Sequence, residues 1–272
     1  NLNKFKNRKD FNMKKLIAAL LALAMLFSLC ACGGTNDDNK TNDETRVVTD
    51  ACGRQVTIPE TVKSVICVGV GSLRFTTYMD ALDLLVGVEE NELGVGAQKP
   101  FAYLHQDVWE KLPQIGNNGE TDDEQIISAN PDVIIAQMDK DTADAYQQKT
   151  GIPVVTIPMV EGILDDAVFD MINLLGEVYG KQDRAKELTD YLTAMKKDIA
   201  DRVAKVDKDK TPSVYVSGVS FKGAHGFEGT EAGYGPLAEL KANNIADATG
   251  KSGAFDMDIE QVLKVDPDYI FV

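Results

Sequence analysis

Two stretches of this chain are dense in groups that hold charged ligands. The first is Gly69-Val70-Gly71-Ser72-Leu73-Arg74, directly after the apolar run SVICV. Gly69, Gly71 and Ser72 would let backbone N–H groups approach a ligand at the start of a helix, and Arg74 adds a cation suited to an oxyanion. The second is SFKGAHGFEGTEAGYG, residues 220–235, where Lys222, His225, Glu228 and Tyr234 stand among five glycines. Lys222 would face a carboxylate, catecholate or oxyanion; His225 would coordinate a haem iron or donate to an anion. Asn117 and Asn118 in IGNNGE, and Gln137-Met138 after another apolar run, fall on comparable rims. Each has a plainer reading: a tight turn for Gly-Val-Gly-Ser, a packed gap-filler for Met138, a surface loop for 220–235.

These groups suit binding better than bond cleavage. The chain has two histidines, His105 and His225, and neither belongs to an HExxH or paired Cys/His pattern. No GxSxG elbow is present either. A zinc enzyme and a three-histidine importer of free metal are therefore poorly supported, and no resident cofactor or directly bound metal is expected beyond His225 meeting an iron. With a formal charge of −15, the chain also lacks the basic face that binding a nucleic acid requires.

The elements that must position these residues follow from periodicity. KSVICVG (63–69), PDVIIAQ (131–137), IPVVTI (152–157) and PSVYVSG (212–218) are short apolar runs bounded by Gly, Pro or Ser. Apolar on both faces, they read as buried parallel strands. Helix-like stretches at 73–85, 121–129 and 141–151 alternate with them, which means an α/β fold. From Asp165 to Val206 apolar residues recur at three to four spacing, with a break near Gly180. The part from Asp183 onward predicts a helix of roughly 36 Å, long enough to run across two lobes, or else one arm of a hairpin within a single lobe. EQIISANPDVII (124–135) returns as EQVLKVDPDYIF (260–271). Each copy reads as a short helix opened by glutamate, Glu124 or Glu260, then a proline stop and a strand, so two lobes of similar build are expected.

The front of the chain is a targeting segment. Met13-Lys14-Lys15 precedes LIAALLALAMLFSL, too short to span a membrane comfortably. Leu29-Cys30-Ala31-Cys32-Gly33 resembles a bacterial lipobox, with Cys32 as the lipidated residue; secretion after a cut at a small residue is the alternative. The polar stretch after Cys32 reads as a tether. The expected organisation is residues 1–31 upstream sequence and signal peptide, 32–45 tether, 46–160 first lobe, 161–209 helical segment and 210–272 second lobe. Cys52 and Cys67 remain in the body, either paired or with Cys67 simply buried.

Taken in order, the lipobox, RVVTDACGRQVTIPETVKSVICVG, NNGETDDEQIISANPDVIIA, TGIPVVTIP, LLGEVYGKQDRAKELTDYL and NIADATGKSGAFDMDIEQVLKVDPDYIFV resemble the periplasmic binding proteins that serve ABC importers of iron–siderophore complexes, haem and cobalamin. The resemblance implies the class III architecture: two lobes with mostly parallel sheets, a long backbone helix between them, and a ligand in the cleft. It implies a monomer on the outer face of the cell membrane, held by its lipid, working with a permease dimer and its ATPase. Gly71, Ser72, Arg74, Asn118, Met138, Lys222, His225 and Tyr234 are then the candidate ligand residues, and Arg74, Lys222 and His225 are expected to face one another across the ligand. Glu124 and Glu260 match the family's glutamates that dock on the permease. An iron complex is the favoured ligand; molybdate, tungstate or cobalamin, or a sensory rather than transport role, are the alternatives. Members of this family continue beyond the point matching Val272, so the second lobe is expected to be truncated there.

Overall fold

The computed structural model describes residues 44–160, 162, 164–207 and 211–272. The signal segment, Cys32 and most of the tether lie outside these. An antiparallel hairpin, β1 (Thr45–Thr49) and β2 (Gln55–Pro59), comes first. Asp50 makes its turn by accepting from the Cys52 and Arg54 N–H groups at 3.0 and 2.9 Å. The Arg54 guanidinium is buried and makes four hydrogen bonds. It donates to Asp50 at 3.0 Å, Asp144 at 2.7 Å, the Val154 carbonyl at 3.0 Å and Gln147 at 3.0 Å, which fastens the hairpin to the body. A buried guanidinium is tolerable only when so paired. Both Cys52 and Cys67 are free, and burial pushes the Cys67 thiol up to about 12.

The first sheet has strand order β3 (Val65–Val68), β6 (Val133–Ala136), β7 (Val154–Thr156), all parallel. Leu85 bridges Val65 on the outer edge. Every residue of β3, β6 and β7 is buried, as strands apolar on both faces require. Between β3 and β6 run α1 (Ser72–Tyr78), α2 (Pro100–Tyr103), α3 (Gln106–Trp109), the small hairpin β4 (Gly116–Asn117) with β5 (Glu120–Thr121), and α4 (Asp123–Ala129). Helix α5 (Lys140–Thr150) leads into β7. The helix expected over 73–85 stops early, because Asp80 takes a left-handed conformation (φ 54°) and the chain resumes as a 3-10 turn at Leu82–Leu84.

Helices α6 (Asp166–Tyr179) and α7 (Gln182–Val203) are divided at Gly180, which adopts φ 66°. Gly176 lets them close: a Cβ there would lie 2.6 Å from that of Ala185. The buried residues of α7, Ala185 and Leu192, belong to the core of the first sheet, with Leu188, Met195 and Ile199 packed against it.

The second sheet, order β10 (Asn243–Asn244), β8 (Ser213–Val216), β12 (Tyr269–Phe271), is again parallel. Before β10 come β9 (Gly229–Ala232) and α8 (Gly235–Glu239); after it, β11 (Gly253–Asp256), antiparallel to β9, and α9 (Ile259–Val265). Its core is small, with Tyr215, Ile245, Met257 and Val262 on one side and Val214, Val216 and Leu237 on the other.

Each sequence repeat is thus a helix and a strand, α4–β6 and α9–β12. The repeated aspartates do the local work. Asp122 and Asp258 cap the helices, accepting from the Gln125 and Glu260 N–H groups at 3.1 and 2.9 Å. Asn130 and Asp266 close them in left-handed conformations before Pro131 and Pro267. Asp132 accepts from the Lys63 and Ser64 N–H groups at 2.6 and 3.0 Å; Asp268 accepts from the Ser213 N–H and hydroxyl, both at 2.8 Å. Glu124 and Glu260 therefore do not open their helices; each is the second residue, exposed, with the cap two positions earlier.

Candidate ligand-binding site

In a parallel α/β sheet, ligands collect beyond the carboxyl ends of the strands. Past the end of β3 the chain turns through Gly69 (φ 79°) and Gly71 (φ 86°), conformations that need glycine. Gly71 heads α1, which carries Arg74 at the surface of a cavity of about 630 Å³. The Arg74 guanidinium carbon lies 5.8 Å from the centre of the Phe75 ring, and Phe75 meets Tyr78 edge to face at 5.7 Å.

A buried carboxylate holds the cavity's floor. Glu89, 4% exposed, accepts from the Gly69 N–H at 2.9 Å and from the Gly119 N–H at 2.5 Å. It thereby straps the loop after β3 to the β4–β5 hairpin. Asn91 adds a second strap, its Oδ1 accepting from the Asn118 N–H at 2.8 Å. Gly116 makes the hairpin possible: a Cβ there would fall 2.1 Å from the Glu120 carbonyl oxygen.

The opposite wall comes from residues 91–105. Lys99 Nζ donates to the Asn91 carbonyl at 2.9 Å and stands 3.4 Å from Glu92 Oε2. Burial holds the Glu92 carboxyl above the usual glutamate range, with Lys99 opposing that shift. Phe101, Leu104 and His105 complete this wall, and the His105 ring lies 5.5 Å from that of Trp109, which is buried beneath it. The cavity thus presents two cations and one acid against an apolar rim that includes Val70, Tyr78 and Leu104. A smaller cavity of about 280 Å³ shares Val70, Gly71 and Arg74 and is bounded by Gln137, Pro158 and Met159, beyond the ends of β6 and β7. Arg74 lies between the two.

Of the residues expected from sequence, Gly71, Arg74 and Asn118 line the larger cavity. Ser72 is fully buried, with its hydroxyl donating to the Gly69 carbonyl at 2.8 Å, so it shapes the loop. Met138 packs against Ile66, Ile134 and their neighbours, and its carbonyl accepts from the Cys52 thiol at 3.6 Å. Lys222 is exposed in a left-handed turn. His225 stacks on Phe221 at 3.7 Å; its Nδ1 is 2.8 Å from Asp256 and its Nε2 is 2.8 Å from the Phe221 carbonyl oxygen. Iron coordination by that ring would first have to break one of these bonds. Tyr234 heads α8 and packs on the core that contains Val214, Val216 and Leu237. The residues lining the two cavities around Arg74 all fall between Gly69 and Met171, so neither brings Arg74 together with Lys222 or His225. Sequence reasoning missed Glu89, Asn91, Glu92, Lys99 and His105. The run Glu89-Glu90-Asn91-Glu92 followed by Lys99 in a glycine-containing stretch was the available signal.

The family pattern described as periplasmic binding protein matches residues 75–272. This chain is a member of that family. The binding protein is 26% identical over 207 residues to the uncharacterized ABC transporter substrate-binding lipoprotein YvrC of Bacillus subtilis, covering 73% of this chain and 62% of that relative's length. It is 26% identical over 286 residues to the molybdate-binding protein MolA of Haemophilus influenzae, covering 96% of this chain and 74% of the relative. The structure of MolA bound to molybdate superposes with a TM-score of 0.64 over 83% of this chain and 73% of that one, at 25% identity. The Fe(3+)-citrate-binding protein YfmC of Bacillus subtilis is 23% identical over 262 residues, covering 94% of this chain and 78% of the relative.

Proposed function

We propose that this binding protein serves an ABC importer and captures an anionic ferric chelate in the cavity walled by Arg74 and Lys99. Size carries the choice. Sites for ligands of drug-like size enclose about 300–1,000 Å³, and the larger cavity, at about 630 Å³, falls within that range while a lone tetrahedral oxyanion would occupy little of it. Its two cations suit carboxylate or phenolate groups, and Val70, Tyr78, Phe101 and Leu104 suit the organic part of a chelator. In this reading the iron is cargo, brought to the site within its chelator.

Molybdate is the second reading, favoured by the likeness to MolA. Calorimetric titration with ferric citrate, a ferric tricatecholate, haem and molybdate separates the two. A ferric chelate should bind tightest, and Arg74→Ala should weaken it about 10- to 100-fold, the effect of losing one charge-assisted contact. Molybdate binding more tightly than every chelate would overturn the reading.

Delivery to the permease, in this reading, uses Glu124 and Glu260, exposed and free of side-chain bonds within the described residues. Attachment at the outer face of the membrane would use Cys32; incorporation of labelled palmitate by wild type, absent in Cys32→Ala, is the expected result.

A further inference from the structure

The larger cavity contains an acid where its proposed ligand brings negative charge. The Glu92 side chain is 13% exposed, its Oε2 stands 3.4 Å from Lys99 Nζ, and its Oε1 accepts from Asn91 Nδ2 at 3.3 Å. Several charged or titratable groups surround it. Arg74 on α1 attracts it and the buried Glu89 carboxylate repels it. His105 and the Tyr78 phenol line the same cavity, and the Cys67 thiol beneath is acted on by both glutamates. In the free protein one of the cavity's two cations is therefore already engaged by an internal carboxylate. An arriving anion that reaches Lys99 sets two carboxylates against one ammonium in a partly desolvated place, and like charges sharing such a site do not both stay ionised.

We propose that Glu92 takes up a proton when an anionic ligand binds, so that Lys99 passes from Glu92 to the ligand and capture is coupled to pH. This rests on the ligand reading above. The proton comes from solvent and ends on the Glu92 carboxyl, while Lys99 remains an ammonium and only changes its acceptor. Desolvation already favours the neutral form of Glu92, and Lys99 is the main group opposing it. A bound anion weakens that opposition and adds repulsion, so both changes act in one direction. Affinity then rises as pH falls through the window between the free and loaded titration points of Glu92, by at most about tenfold per pH unit, and is flat outside it.

The test is calorimetric titration of ferric citrate into the full chain between about pH 5 and 8, in buffers of different ionisation enthalpy. Wild type and Glu92→Gln are compared at each pH, because their ratio cancels the titration of citrate and of groups the two proteins share. Wild type should take up more protons per ligand than Glu92→Gln, approaching one. Glu92→Gln should bind about tenfold tighter at the alkaline end and converge with wild type at the acid end. Lys99→Met, in which the free-state Glu92 has lost its cation, should show a smaller uptake than wild type and supplies the test if Glu92→Gln fails to fold. Equal proton counts and a constant affinity ratio, with Arg74→Ala still impaired, would overturn the coupling and leave the site standing. No binding of ferric citrate, the ferric tricatecholate or haem at any pH would remove both.

Discussion

The two copies of the helix–strand repeat make similar local bonds and differ in how far their strands are buried among the described residues. In α4–β6 and in α9–β12, an aspartate caps the helix, a buried aliphatic residue (Ile126 or Val262) seats it, and an aspartate after proline grips the start of the neighbouring strand. Yet Ile134 in β6 is 0% exposed, whereas Tyr269, Ile270 and Phe271 in β12 are 58%, 46% and 56% exposed. Strand β6 has neighbours on both edges; β12 pairs with β8 alone among the described strands. The motif therefore sets the geometry of the unit from its own caps and clamp.

That contrast is easiest to break at the strands. Ile134→Ala should cost about 2–5 kcal/mol, the usual range for emptying a packed core position, and Ile270→Ala much less. Urea unfolding of both variants measures the gap; equal losses would mean that β12 is covered in solution.

The clamp gives a smaller, pH-dependent effect. The Ser213 N–H and hydroxyl hold the Asp268 carboxyl below the ordinary aspartate range. A lowered value means a contribution fully present above that range and lost as pH falls through the lowered value. Asp268→Asn should then differ from wild type near neutral pH, and the two should converge in acid, as read from hydrogen exchange of β8. A difference that persists unchanged in acid would show that the carboxylate's charge is not what the clamp uses.

The smallest effect on folding is expected at the repeated glutamates, whose side chains make no bond among the described residues. Glu124→Arg and Glu260→Arg should each change stability by less than about 1 kcal/mol, the scale of a first-turn charge on the helix dipole. Import through a reconstituted permease should nonetheless fall, and most in the double variant. Normal uptake by the folded double variant would leave the helix dipole as the reason for both glutamates.

How far the sequence could be read depended on whether a residue's environment was local. Strands β3, β6, β7 and β8 and the long helix were legible because apolar period alone specifies them. The early end of α1 was not, since the pattern runs on through Leu85 while Asp80 turns the chain. Gly71, Arg74 and Asn118, which line the larger cavity, could be singled out because they follow strands or turns with recognisable composition. Glu92 and Lys99 were not, because their segment has no period, and the cavity wall exists only once the Glu89 and Asn91 straps have brought distant loops together. His225 illustrates the converse: its chemistry was evident, but its engagement by Asp256 depends on a strand 31 positions away.

Trp109 is the single tryptophan of the chain, buried directly under the His105 wall. Its emission therefore reports on one place only. Ferric chelates absorb in the near ultraviolet and visible, so their arrival in the adjoining cavity would dim this one fluorophore without any label, while a colourless oxyanion would leave it bright. On the proposed reading, quenching of this one fluorophore would separate an absorbing chelate from a colourless oxyanion.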